Sequence, residues 1–433
     1  MRARGRFLDT RPLRGSRPFR ALWIGSSASQ LGGQTATVAV LAQVWDLTGS
    51  PVGTGAIGLA TGVPMVLFGL LGGTLADTVD RRAVVRATTA GQLLAAAGLC
   101  VQAAVDNRSV LVLLALVALG AACGALGAPA RRTFPVRLLP PDQVAAGLAL
   151  TNVSFQAAML AGPALAGLII ARWDFSAAYA AQAVAVAVSA LAVTRLPSMK
   201  PRGADGATDG RRRPERGGWR IVLRRPTLWG SMATDLSATL LAMPIALFPL
   251  VNEIRFDGDP QTLGLFLSAV AVGGITAGLL SGTVTRLRRS GLVQLTAAGV
   301  WGLALAGFGL AGPLWLVLGC LAVAGAADTV SVVSRSALVQ LETPDAYRGR
   351  VSSVEHVIGV AGPELGNFRG GLLASVTSAP FALVIGGLSA TAAVAVVASA
   401  NASLRAYRTP QSAVESSPPR ADDAAPAPAT GQA

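Results

Sequence analysis

The chain has 433 residues, 52% hydrophobic and only 13% charged, with a net charge of +14 and 50 glycines. Soluble domains carry about a quarter of their residues as charges, so a water-soluble core is excluded. The basic residues are scattered over short gaps without interleaved aromatics, which argues against nucleic acid and for membrane topology and contact with anionic lipid headgroups.

Twelve apolar runs follow in chain order, at 19–45, 51–76, 83–105, 109–130, 143–171, 175–194, 227–252, 262–285, 291–311, 314–334, 351–375 and 379–400. Each reaches the roughly 20 residues that a helix needs to cross a hydrocarbon core of about 30 Å. The first follows Arg2, Arg4, Arg6, Arg11, Arg14, Arg17 and Arg20. It outruns the roughly 7–15 apolar residues of a secretory signal, so a retained span is expected. Of the 36 basic residues, only Arg108, Arg172, Arg255 and Arg369 fall outside the amino-terminal segment, the carboxyl-terminal tail and every second gap. Basic residues near span ends stay cytoplasmic, which places both termini and the gap after the sixth run in the cytoplasm of a multi-pass cell-membrane protein. Cys100, Cys123 and Cys320 lie in separate runs without paired spacing, and neither a disulfide nor a metal site is expected.

The polar stretch from Pro197 to Arg225 divides the chain. The expected parts are a basic segment at 1–18, a six-helix half at 19–196, a cytoplasmic linker at 197–225, a second half at 226–401 and a disordered tail at 402–433, rich in proline and alanine toward its end. The halves repeat in sequence. RRTFPVRLLPPD and SRSALVQLETPD pair Arg132 with Arg335, Val136 with Val339, Leu138 with Leu341, Pro141 with Pro344 and Asp142 with Asp345. Gly162-Pro163 then matches Gly362-Pro363. An all-α protein of twelve transmembrane helices in two pseudo-symmetric six-helix bundles follows, with a cavity where the bundles meet, which is a transporter architecture.

GTLADTVDRR, from Gly73 to Arg82, joins the second and third runs. It resembles the loop signature of the major facilitator superfamily, G-x-L-A-D-x-x-G-R-K/R, at Gly73, Leu75, Ala76, Asp77, Arg81 and Arg82. In physical terms Gly73 would let two helices approach closely, and Asp77 at a helix end would meet a neighbouring helix or an arginine as a cytoplasmic gate. Asp80 stands where the family usually has glycine, and Arg286 replaces the aspartate in the second half. VWDLTGSP (44–51), SRSALVQLETPDAYRGRVSSV (334–354) and PELGNF (363–368) are similar to the branch that holds enterobactin exporters and macrolide-efflux-type drug:proton antiporters. That branch often has an aspartate after S-x-L-G, where this chain has Gly33 after Ser29, Gln30, Leu31 and Gly32. The arginine expected in the fourth span is absent between Leu111 and Gly127.

AGPALAG, at 161–167, resembles an element that marks exporters and antiporters. Gly162, Pro163 and Gly167, with Gly362 and Pro363, should form bent, tightly packed helices at the interface, because proline removes a backbone donor and small residues admit close neighbours. Ionisable groups inside spans cost about 2.5–3.5 kcal/mol and normally face a cavity or a partner. Asp235, Asp328, Glu355 and Glu364 qualify. Glu364, near mid-membrane and after Pro363, is the first choice for the proton, since removal from water favours the neutral carboxyl. Asp235 and Asp328 follow, while Glu355 and His356 lie within two turns of Arg350 and suit a solvated or latch role. Gln30, Gln34 and Arg369 are expected to line the substrate cavity. Arg369 sits about 140° around the helix from Glu364, so the two do not pair.

The expected function is secondary export of a small amphiphile, a siderophore, an antibiotic or a related metabolite, by alternating access with proton antiport, by a monomer in the lipid bilayer. An importer or facilitator on the same fold, or a non-transporting sensor, remains open. No G-x-x-x-x-G-K-S/T stretch is present to bind nucleotide phosphates. A single histidine and no catalytic constellation argue against an enzyme, and no cofactor is expected.

Overall fold

The computed structural model describes residues 9–198, 218–280, 289–344 and 347–408. Its first half holds long helices at Arg17–Thr48, Pro51–Thr78, Arg81–Ala104, Val110–Arg132, Val144–Arg172 and Phe175–Thr194, the first to sixth spans. The seventh span is broken, with helices Pro226–Ala242 and Phe248–Phe256 joined through a 3-10 turn at Ile245–Leu247. Spans eight to twelve are Pro260–Leu279, Ser290–Leu310, Leu314–Glu342, Arg348–Val376 and Ala379–Ala400. Ten of the twelve are long and apolar enough to cross a membrane by themselves. The first and eleventh, 32 and 29 residues long, are more polar because they carry the Ser-Gln stretch at 26–34 and Glu355, His356, Glu364 and Arg369.

Short polar turns start the helices. Ser50, Asp80, Ser109, Asp174, Asp259 and Ser378 each accept a hydrogen bond from a first-turn N–H, satisfying donors that a helix leaves open. Leu111 and Leu94, 78% and 69% exposed, belong to an apolar outer belt of the kind a bilayer covers.

Packing repeats between the halves. In the first half, span one packs on five and six, two on four, and three on four and six. Adding six to every number gives the contacts of the second half, where seven packs on eleven and twelve, eight on ten, and nine on ten and twelve. The halves join through two seams, second against eleventh and fifth against eighth, which the same relation exchanges.

Glycines set how closely these seams approach. A Cβ on Gly62 would lie 2.7 Å from the Glu364 Cβ, and one on Gly167 would lie 2.6 Å from the Pro260 carbonyl oxygen. Across the second seam Ser268 donates its hydroxyl to the Leu160 carbonyl at 3.0 Å. These contacts all lie in the half of the bundle nearer the turns at 48–51 and 256–260, so the mouth at that end is closed.

Two expected boundaries shift. Residues Gly218–Arg224, inside the expected linker, form a short helix whose Val222 is buried with Leu228 and Met232. Ala402–Ala406, inside the expected tail, is also helical because Leu404 is fully buried in the same cluster. The remainder of the linker and of the tail, at 199–217 and 409–433, lies outside the described residues.

Candidate functional site

The seventh span breaks where Pro244 and Pro249 remove backbone donors and the chain reads AMPIALFP. Bare backbone at membrane depth is tolerated only when other groups satisfy it, and neighbouring spans do so here. Arg369 donates to the Leu241 carbonyl at 2.5 Å, Asn367 accepts from the Ala246 N–H at 3.2 Å, and Thr54 donates to the Ala246 carbonyl at 2.7 Å. Arg369 therefore stitches the break and is not among the residues lining the central cavity, where the sequence had suggested it.

A cavity of about 290 Å³ lies between the halves beside this break. Gln34 and Met159 border it from the first half. Asp235, Thr239, Met243, Phe248, Trp301, Asp328 and Arg335 border it from the second. Gln30, one helical turn before Gln34, does not line it, and its Oε1 is buried without a partner among the described residues. Pro163 and Pro363 both touch the cavity, as do Met159 and Gly359, whose carbonyls are four residues earlier and lose their helical donor to those prolines. Gly162 faces Gln34 of the first span and Gly362 faces Thr239 of the seventh, so the two Gly-Pro pairs hold equivalent places in the two halves. Gly167 belongs to the fifth–eighth seam.

The cavity wall carries a charge cluster centred on Arg335. Its Nη1 pairs with Asp235 Oδ2, both side chains being 8% exposed, and its Nε lies 3.5 Å from Glu355 Oε1. Glu355 also accepts from the Ser336 hydroxyl at 3.1 Å. Asp328, seven residues before Arg335 and so on the same helical face, is within electrostatic reach of both Asp235 and Arg335. Asp235 and Glu355 thus pair with one guanidinium, while Asp328 stands exposed on the same cavity wall and adds a third acid to the cluster. Glu355 is an ion-pair partner of Arg335. The side chain of Arg350, its expected neighbour, lies outside the described residues.

Arg335 is the functional residue that sequence reading missed. The tenth apolar run stops at residue 334 and leaves Arg335 among the loop charges, whereas the helix continues to Glu342 and buries it. The spacing of seven between Asp328 and Arg335 was the available signal. Arg131 is a second case. It lies in the fourth span beyond the stretch 111–127, half-buried, and donates to Thr89 and to Gln92, each at 2.8 Å.

Glu364 is placed elsewhere. It occupies the second–eleventh seam against Gly58 and Gly62, hydrogen-bonded to Thr61 and Asn367, and borders a groove of about 220 Å³ instead of the central cavity. Through Asn367 it is tied to the broken seventh span.

The gate motif is only partly described, since the Asp77 side chain lies outside the described residues. A Cβ on Gly73 meets nothing within 4 Å, whereas one on Gly72 would lie 2.7 Å from the Leu126 carbonyl oxygen. The close helix approach therefore falls on Gly72. Asp80, the departure from the signature, caps the third span by accepting from the Arg82 N–H at 2.9 Å. Arg82 donates to the Thr194 carbonyl at 2.7 Å, closing the end of the sixth span, and Arg81 opens the third span and is also partnered.

Comparison with known proteins agrees with this geometry. A family model described as transmembrane secretion effector matches residues 10–424. An enterobactin exporter EntS of Citrobacter koseri is 26% identical over 381 residues, 86% of this chain and 90% of that protein. One from Escherichia coli O139:H28 is 25% identical over the same shares. Among solved structures, the nucleoside transporter NupG superposes with a TM-score of 0.70 at 15% identity, covering 88% of this chain and 98% of that one. A bacterial homologue of the lysosomal transporter Spinster, inward-facing and unoccupied, gives 0.66 at 16% identity, covering 90% and 96%. At such identities these two matches show the fold alone.

Proposed function

The chain belongs to the transmembrane secretion effector family of the major facilitator superfamily and is a membrane transporter, and from that premise we propose that it exports a small amphiphile by alternating access, exchanging it for protons. It works as a monomer in the lipid bilayer of the cell membrane, with both termini cytoplasmic, as the distribution of basic residues supports. The observation that carries the reading is the Asp235–Arg335–Asp328 cluster on the wall of a cavity between two repeated halves.

The cluster holds more acids than bases at the cavity wall, so proton entry and substrate release alternate there by competing for the same carboxyls. Apolar walls from Met159, Met243, Phe248 and Trp301 receive the apolar part of the cargo. The closed mouth marks the conformation loaded from the opposite, cytoplasmic side. Glu364 acts at the seam: a neutral carboxyl sits between Gly58 and Gly62 without repulsion, and its ionisation favours separation of the second and eleventh spans. Asp77, Arg81 and Arg82 form the cytoplasmic gate.

Retention of siderophores, macrolides and cationic dyes in cells with and without the protein tests the reading. Reduced retention of at least one compound, abolished when the proton gradient is collapsed or when Asp235 is replaced by Asn, is expected. Greater retention caused by the protein would show uptake and overturn export.

A further inference from the structure

At the closed end of the molecule a separate cavity of about 430 Å³ takes no part in the chemistry above. It crosses the junction of the halves, with Trp45 and Asp46 of the first span on one side and Asn252 and Glu253 of the seventh on the other. The sequence repeats there. Val44, Trp45, Asp46 and Leu47 before Ser50-Pro51 correspond to Val251, Asn252, Glu253 and Ile254 before Asp259-Pro260, with two more residues in the second copy. Asp46 and Glu253 are one carboxylate supplied twice, once by each half.

Both acids stand in the last turn of a helix, where unsatisfied carbonyls concentrate partial negative charge. The first span has no basic residue in that turn. In the seventh, Arg255 is committed to the carbonyls of Phe308, Gly309 and Ala311. Arg172, at the end of the fifth span, is exposed. The helix starts that border the cavity at Phe175 and Pro260 are already capped. Asp174 is held below the usual carboxylate range by the Ser176 hydroxyl and the Ala177 N–H, and Asp259 accepts from Gln261 and Thr262. Asn252 is an independent observation that points to a ligand. It lines the cavity at 3% exposure, donates through Nδ2 to the Asp259 carbonyl at 3.0 Å, and leaves Oδ1 without a partner among the described residues.

We propose that this cavity is a divalent-cation site, taking partly hydrated calcium on the Asp46 and Glu253 carboxylates with the Asn252 amide oxygen beside them. Carboxylate and amide oxygens with retained waters are the ligands such a hard cation selects. The two acids border one cavity from opposite halves in this closed form, so an ion that bridges them binds the closed form in preference and holds it shut by that difference in affinity. Opening separates the carboxylates and releases the ion to the outer face. The site rests on the fold and on the repeat, and it stands whether cargo moves outward or inward.

Calorimetric titration of calcium chloride into the purified full chain in uncharged detergent tests it, with magnesium chloride as a second arm. Saturable calcium binding is expected, weakened about tenfold or more in both Asp46→Asn and Glu253→Gln, because affinity follows the number of ligating charges. Both carboxylates are exposed, and unchanged unfolding midpoints without calcium identify the variants as folded. No saturable binding by either ion, or binding undiminished in either variant, overturns the proposal.

Discussion

Replacing Arg335 by glutamine removes the guanidinium that pairs with the buried Asp235 and with Glu355. Arg335 and Asp235 have side chains 8% exposed, and Glu355 lies 3.5 Å from the same guanidinium. Breaking one side of a buried pair costs about 3–5 kcal/mol, because the remaining charge is left uncompensated. Asp235→Asn is milder, since Arg335 keeps Glu355. The double variant leaves neither charge exposed to the other's absence, so its loss falls short of the sum of the singles by about 1–3 kcal/mol. Unfolding of the four proteins in mixed detergent measures this cycle directly. Strict additivity, within about 0.5 kcal/mol, would refute the pairing and with it the placement of Arg335 at the centre of the site.

Further outcomes follow from the seams and caps. Glu364→Gln keeps hydrogen-bonding capacity toward Thr61 and Asn367 but cannot ionise, so initial efflux rates fall by about tenfold, some 1.4 kcal/mol of barrier, while unfolding is unchanged; a native rate would remove Glu364 from the cycle. Gly62→Val drives a side chain into Glu364 and keeps the seam from closing, so a single cysteine placed at the mouth is labelled faster than in the native chain, and unaltered labelling would contradict the seam. At Asp80, alanine costs about 1 kcal/mol by loss of the helix cap, whereas glycine, the residue usual in the family, costs a few tenths. Equal losses in thermal unfolding would show that capping is not the role of Asp80.

Long apolar runs and the repeat make the twelve spans and their division into two like halves readable from the residues, because crossing a bilayer demands length and apolarity that composition records directly. The repeat of Gly162-Pro163 at Gly362-Pro363 likewise announces two equivalent positions on the cavity, where Pro163 and Pro363 both lie. The apolarity of the seventh run is continuous from 227 to 252 and hides its break, although Pro244 and Pro249 mark it. Arg335 is hidden for a different reason: a charge ends an apolar run, and only packing shows that the helix carries it inward to Asp235. Arg369 faced the reverse problem, since a charge inside a span suggests a cavity, and the free carbonyl it satisfies exists only once the seventh span unwinds. Glu364 stands out in the sequence as a charge inside a span, but which seam or cavity it enters depends on helix rotation, which sequence spacing within one helix leaves undetermined.

Reconstituted vesicles with an imposed pH gradient offer the most direct trial of the central claim, that repeated halves move cargo against protons at the Asp235–Arg335 wall. Transport of a cargo identified by the retention panel should follow the gradient, with protons moving in the opposite direction, and Asp235→Asn should abolish both movements while leaving the protein folded. Transport that continues unchanged without the gradient, or at the native rate in Asp235→Asn, would contradict it.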